Sequence, residues 1–408
     1  MTEWQWVEYQ SLASKDRSAF AMGPFGSKIT KENYVSSGVP VVRGVNLARG
    51  IFSDEEFVYI TSGKADELMS ANVQPGDLIF THRGTIGQVS MIPRRPKFNR
   101  YVIGSSQVKT RLDESQAVPE FYYYWFQSLE GQRSILANAS TVGVPGIATP
   151  LTSIRSLNVP RPSMAEQRSI VATLAALDDK ISINRRIATT ARQLAINMHH
   201  RETSVDGRVM DIGEVAAYLN RGQAPRYTTQ GHGMLVVNQK CVRDGRVIID
   251  PARHTESARV DPERQLLKND VLVNSTGVGT LGRVGIWSRE TMATVDSHVT
   301  IIRINQQVVP SIVGAFAILA EQSQIEGMGE GSTGQTELNR TKLGSVKIKL
   351  PTGSCEKLAS ELDVLEQRAA AALSESQILA NLRDTLLPEL MSGRLHAKRA
   401  EQVVEDAV

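Results

Sequence analysis

Cysteine is nearly absent from this chain: 408 residues hold two, Cys241 and Cys355, far apart. Two such residues frame no disulfide scaffold and no zinc-ligand spacing, and they imply a reducing, cytoplasmic setting. Long apolar runs are absent too. The longest, Ile312 to Ala320, falls far short of the roughly 20 residues a bilayer span needs. The N-terminal Met1-Thr2-Glu3-Trp4-Gln5-Trp6 lacks the basic and apolar regions of a signal peptide. Nor does one sign of charge dominate, with 46 Lys and Arg against 43 Asp and Glu. That balance neither supports nor excludes nucleic-acid binding, which depends on clustering of charge on one face. What remains is an ordinary globular composition in a chain too long for one typical core, hence two or more domains.

Catalytic motifs are missing as well. No helix carries His-Glu-x-x-His, no Gly-x-Ser-x-Gly elbow occurs, and there is no Asn- or Asp-Pro-Pro-Tyr base-methylation motif. Gly23-Pro24-Phe25-Gly26-Ser27-Lys28 lacks P-loop spacing. Gly277-Val278-Gly279-Thr280-Leu281-Gly282 fits the dinucleotide-binding pattern, but a strand follows it, so no helix N-terminus awaits a pyrophosphate. A tight loop between two strands is expected there. His199 and His200 are adjacent and point in different directions on a helix, so they make no two-ligand site. No metal site and no cofactor site is expected in this chain.

What is present is one unit written twice. Gly38-Val39-Pro40-Val41-Val42-Arg43 returns as Gly233-Met234-Leu235-Val236-Val237-Asn238, each followed seven residues later by a glycine, Gly50 and Gly245. Pro75-Gly76-Asp77-Leu78-Ile79-Phe80 matches Lys268-Asn269-Asp270-Val271-Leu272-Val273, and Gly84-Thr85-Ile86-Gly87 matches Gly279-Thr280-Leu281-Gly282. The order is kept while the offset drifts from 195 to 189, as small deletions would produce in a duplicated domain. Short strands bounded by Gly, Pro and Asp, plus a helix opened by Pro119 or Pro310, make each copy α+β. The aromatic run Phe121 to Phe126 is expected in the core, because its counterpart Ile312 to Ala317 could pack but not stack on bases.

Each copy then ends in a heptad-patterned helix of about 35 residues, about 50 Å long. The first has its stripe at Ile170, Leu174, Leu177, Ile181, Asn184, Ile187, Ala191, Leu194 and Met198, after a capping box at Ser163 to Glu166. The second runs through Leu358, Leu362, Leu365, Ala369, Ala372, Ser376, Leu379, Leu382 and Leu386, and Pro388 is expected to stop or kink it. Narrow stripes of this kind cover each other, with the helices antiparallel. Asn184 and Ser376 are either tolerated polar residues or set the register.

Basic residues gather in the loops of both copies, among them Lys97, Arg100, Arg221, Arg246 and Arg253. Arg, Lys and Asn at strand ends beside glycine turns can reach phosphates and base edges. The candidate DNA-contacting residues are Lys28, Arg43, His82, Arg83, Thr85, Arg94 and Arg95 in the first copy. In the second they are Arg226, Asn238, Lys240, Arg243, Ser275, Thr276, Thr280 and Arg283.

Several stretches carry a resemblance to a known family. Gly23 to Lys28, the Gly38-Val39-Pro40 strand and Pro75 to Gly87 are among them. So are Pro160-Arg161-Pro162 leading to Glu166-Gln167-Arg168-Ser169-Ile170, and Leu382 to Leu390 with Ser392-Gly393. In this order, twice over and with two long helices, they resemble the specificity subunit of type I restriction-modification enzymes. The resemblance implies target-recognition domains at 1–162 and 203–351, conserved helices at 163–202 and 352–392 forming an antiparallel coiled coil, and a flexible tail at 393–408. It implies a non-catalytic subunit that reads a split double-stranded DNA site, one half per domain. The implied partners are two methylation subunits, which bind S-adenosylmethionine, and restriction subunits that use ATP and Mg. The second copy departs from the pattern: Arg221-Gly222-Gln223-Ala224-Pro225-Arg226 stands where Gly23 to Lys28 would be matched. Two rival readings remain at this point: a coiled-coil adaptor without a DNA role, and a nucleotide-binding enzyme using 277–282.

Overall fold

The computed structural model describes the chain except residues 1–3, 26–27, 141–142, 205, 229–232, 329–336 and 406–408. Gly26 and Ser27 of the first motif, and the last three residues of the expected tail, thus lie outside the described residues. The chain divides into two compact units: Met1–Ile181 with Ile378–Val408, and Ser182–Gln377. The division falls inside both long helices, not at their ends.

In the first unit, the antiparallel order is Phe20–Met22, Gln107–Thr110, Leu78–Thr81, Val89–Met91. A second sheet joins Val39–Val42 in parallel to Tyr101–Ile103, with Val58–Ile60 antiparallel on the other side of Val39–Val42. Strand Leu78–Thr81 shows how the layers are built. Its residues alternate faces, so Leu78 and Phe80 meet the helix Pro119–Gln127 and its aromatic cluster, while Ile79 meets Val41, Tyr101 and Ile103 of the second sheet. Both faces are covered, and all four residues are buried. The aromatic run is core, as its pattern predicted: Phe121, Tyr122, Tyr124, Trp125 and Phe126 are all buried.

The second unit repeats this plan. Ala216–Arg221, Val299–Ile304, Val271–Asn274 and Val284–Ile286 lie in the same order, and Met234–Val237 pairs in parallel with Ala293–Val295. Val271 and Val273 face the cluster around helix Ser311–Ala320, and Leu272 faces Val237 and Val295. A buried ion pair recurs as well. Arg111 forks onto Asp77 at 2.8 and 2.8 Å, and Arg303 onto Asp270 at 2.9 and 2.8 Å.

The long helices are Met164–Ser204 and Glu356–Met391. In the first unit, Ile170, Leu174, Leu177 and Ile181 pack with Leu379, Leu386 and Leu390. In the second, Ala188 and Ala191 pack with Ala369 and Ala372, small residues that let two backbones approach. Within that unit Asn184 bonds Glu375 at 2.8 Å and Arg192 meets Glu366 at 3.1 Å, so numbers rise on one helix as they fall on the other: the pairing is antiparallel. Asn184 therefore bridges the helices, whereas Ser376 bonds back to Ala372 of its own helix at 2.9 Å.

Three details differ from the sequence reading. Leu194 is exposed, and Ala195 and His199 are buried near it instead; a helix of 3.6 residues per turn drifts about 20° per heptad, so a strict stripe turns outward with length. Pro388 neither stops nor breaks the second helix, which continues to Met391; its missing N–H deprives only the Asp384 carbonyl of its helical donor. The expected flexible tail holds a helix, Ala397–Glu405, with Ala397 and Ala400 buried in the first core and Glu401 bonded to Ser169 at 3.1 Å.

Candidate nucleic-acid interface

In the first unit, several strand ends converge on one edge. The Gly23 amide donates to Gln107 at 2.9 Å, the Gly104 amide to Val42 at 2.8 Å, and the His82 amide to Ser106 at 2.9 Å. Gly23 is fixed by contact: a Cβ there would lie 1.8 Å from the Gly104 carbonyl oxygen. The hairpin loop 82–88 is propped from outside, because the Gly84 amide donates to Pro145 and the Ile147 amide to His82, each at 2.9 Å. Gly84 and Gly87 take φ of +88° and +84°, which suits glycine.

This edge brings together Lys28, Arg43, His82, Arg83 and Thr85. Arg83, Thr85 and Lys28 are exposed. Arg43 is half-buried and gives one guanidinium nitrogen to the Glu56 carbonyl at 3.0 Å. His82 is buried, and its Nε2 lies 3.1 Å from the Ser105 carbonyl. Burial lowers its pKa, the Ser105 bond opposing, so it holds the loop as a neutral ring. Arg94 and Arg95 are not on this edge. They follow the far end of Val89–Met91, beside Leu78, and Arg94 is held by Glu120 at 2.6 Å and Glu114 at 2.8 Å. Those two carboxylates raise its pKa.

The same edge exists in the second unit. The Gly222 amide donates to Val299 at 3.0 Å, the Asp296 amide to Val237 at 3.0 Å, and the Ser275 amide to His298 at 2.8 Å. A Cβ on Gly222 would lie 2.2 Å from the Val295 oxygen and 2.3 Å from that of Asp296. Gly222 is therefore the counterpart of Gly23, although the residues after it do not match. By these bonds Ser275 corresponds to His82, so the loop 275–282 is two residues longer than 82–87.

Here the expected residues divide. Thr276 is bonded to His298 Nδ1 at 2.6 Å, and Lys240 is exposed beside the loop. Ser275 is buried against Thr300, and Thr280 turns back to the Gly277 carbonyl. Asn238 gives its amide to Pro251 at 2.7 Å and shapes its own loop. Arg283 donates to Gly279 at 2.9 Å and shares a small cleft with Arg243, Asp244 and Gln322. Arg226 is exposed, 3.6 Å from Glu256. The first unit's edge also holds Phe25, beside His82, and the second unit's holds Val278 and His298; none of the three is among the residues expected from the sequence.

Gly277, Gly279 and Gly282 have φ of +110°, +72° and +75° in a loop joining two antiparallel strands. No helix begins there, which removes the dinucleotide reading. Among the described residues no cluster of three His, Cys, Asp or Glu could hold a metal ion. No helix is long and apolar enough to cross a membrane among them either.

Comparison with known proteins agrees with this geometry. Residues 26–192 match the family model of the type I restriction modification DNA specificity domain. The chain is 20% identical over 394 residues to a protein of Methanocaldococcus jannaschii named as the MjaX specificity subunit of a type I restriction enzyme, covering 90% of each. A crystal structure of the type I restriction-modification S subunit from M. genitalium shares the fold, with TM-score 0.62 and 16% identity over 95% of this chain and 96% of that one. The matched model is one of DNA specificity, and along nine-tenths of its length the chain is similar to a protein named as a type I restriction enzyme specificity subunit.

Proposed function

We propose that each unit reads one half of a split double-stranded DNA target, through its edge of converging strand ends. The observation that carries this is the duplicated edge itself. Both units keep the same three amide bonds and the same pinched glycine, Gly23 or Gly222, while the side chains presented differ. Arg83 projects where the second unit has Thr276 and Val278. A fixed frame with variable exposed groups suits a reader of two different half-sites. An exposed arginine in a turn can fork onto guanine, which discriminates by about 1–3 kcal/mol.

The long helices are the proposed spacer. At 1.5 Å per residue, 41 and 36 residues give lengths of about 62 and 54 Å, against about 34–36 Å for one turn of DNA. The helices would also carry the partners: two methylation subunits, and restriction subunits in the full complex. S-adenosylmethionine, ATP and Mg would then act in those partners, in the cytoplasm, and none of them in this chain. The test is co-expression with methylation subunits and mapping of modified bases. A split site with a constant gap supports the reading, and a continuous site, or no site, refutes it.

A further inference from the structure

We infer that Val278 is a specificity-determining residue that contacts the C5-methyl group of a thymine in the major groove of the half-site read by the second unit. This rests on the reading of that unit as a DNA reader. Val278 is 97% exposed, more than any other large apolar side chain described. It sits at the tip of the loop 275–282, between Gly277 and Gly279, both of positive φ. The loop is two residues longer than its counterpart in the first unit.

The loop is not slack. Thr280 and Leu281 donate their amides to Gly277 at 3.2 and 3.0 Å, and the Gly282 amide donates to Asn274 at 2.8 Å. Asn274 in turn donates to Gln239 at 2.9 Å and to Thr280 at 3.0 Å, and Arg283 closes onto Gly279 at 2.9 Å. From outside, the Leu338 amide donates to Ser275 at 2.9 Å. An isopropyl group is thus held out in water on an ordered frame, where its hydration is unfavourable and little ordering is left to lose on binding.

The surroundings indicate what covers it. The exposed Lys240 follows Gln239, whose side chain lies against Gly277, and Thr276 with His298 lies on the neighbouring strand ends. A cation and hydrogen-bonding groups around one apolar tip suit a DNA groove: phosphates for the former, base edges for the rest. A valine cannot hydrogen-bond to a base edge. Thymine alone among the four bases offers an apolar group in the major groove.

The test uses the full chain assembled with its methylation partners and duplexes bearing its mapped target. Each thymine of the second half-site is replaced singly by deoxyuridine, which removes only the methyl. One replacement weakens wild-type binding about fourfold, the worth of one buried carbon group. Val278→Ala binds the thymine duplex less tightly and no longer distinguishes thymine from deoxyuridine at that position, with unchanged thermal stability and unchanged response to the first half-site. A second half-site without any A·T pair overturns the inference. So does a Val278→Ala variant weakened equally on both duplexes, the result expected of a minor-groove wedge. If wild type binds no site selectively, the reading of the unit as a DNA reader fails first, and this inference with it.

Discussion

The charge pair Arg192–Glu366 offers a quantitative test of how the second unit is held to its helices. Arg192 and Glu366 lie on the two long helices, with side chains 7% and 3% exposed, 3.1 Å apart. The contact is a charge pair without an aligned hydrogen bond. Arg192 also donates to the Gly245 carbonyl at 2.6 Å, and Arg246 donates to the Ala188 carbonyl, so the turn 243–246 is fastened to the helix through arginines. Burial lowers the pKa of Arg192 to about 10, with Glu366 opposing, and burial lowers that of Arg246 as well. Glu366→Ala would leave the buried Arg192 guanidinium without a counter-charge, and would leave the half-buried Arg246 with Asp244 alone. Removing one member of a buried pair costs about 3–5 kcal/mol. For a unit of this size that lowers the unfolding midpoint by on the order of 10 °C. Because the chain has two units, hydrogen exchange at 184–204 and 243–247 must accompany the melt, to assign the loss to the second unit. Arg192→Met combined with Glu366→Leu should recover most of the stability. A loss under about 1 kcal/mol for Glu366→Ala would refute the reasoning, because a pair this buried has no cheap way to lose one partner.

Other expected outcomes follow from single contacts. His199 is buried, and burial first, then the charge of His200, brings its pKa down to about 4. The unfolded chain binds the proton more tightly, so its contribution is present above about pH 6.5 and is lost as pH falls toward 4, about 3 kcal/mol in all. Denaturant unfolding at pH 7 and pH 4.5 should show that loss in wild type and a smaller one in His199→Leu. Gly222→Ala drives a Cβ into the Val295 and Asp296 carbonyls and should cost about 1–3 kcal/mol of stability; a melt unchanged from wild type would contradict it. Arg94→Ala should leave DNA affinity unchanged in a gel shift, because Glu114 and Glu120 hold that arginine at the opposite end of its strands.

The duplication was legible because its markers are backbone requirements. Gly50 and Gly245 both take positive φ, +76° and +72°, and such glycines repeat wherever the turn repeats. The buried strand Leu78–Thr81 and its counterpart Val271–Asn274 were legible as short apolar runs between turns. The counterpart of Gly23 was not. Only the glycine is demanded by the close approach to Gly104, so the six-residue motif around it hid the match to Gly222. Matching Gly84 with Gly279 likewise concealed the two-residue insertion, because the repeated Gly-Thr dipeptide outweighs the amide bonds that equate His82 with Ser275. Residue type alone could not separate Arg83 from Arg94, since the partners of Arg94 lie 20 and 26 residues away in sequence. Nor could it show that His82, Asn238 and Thr280 spend their polar groups on backbone carbonyls, those of Ser105, Pro251 and Gly277.

The central claim is that two edges built alike read two different halves of one DNA site. Modified-base mapping in cells expressing the chain with its methylation partners, as wild type and as Arg83→Ala, tests it most directly. The account predicts a split sequence with a constant gap, and a loss or relaxation confined to one half in the variant. A continuous site, or equal change in both halves, would contradict it.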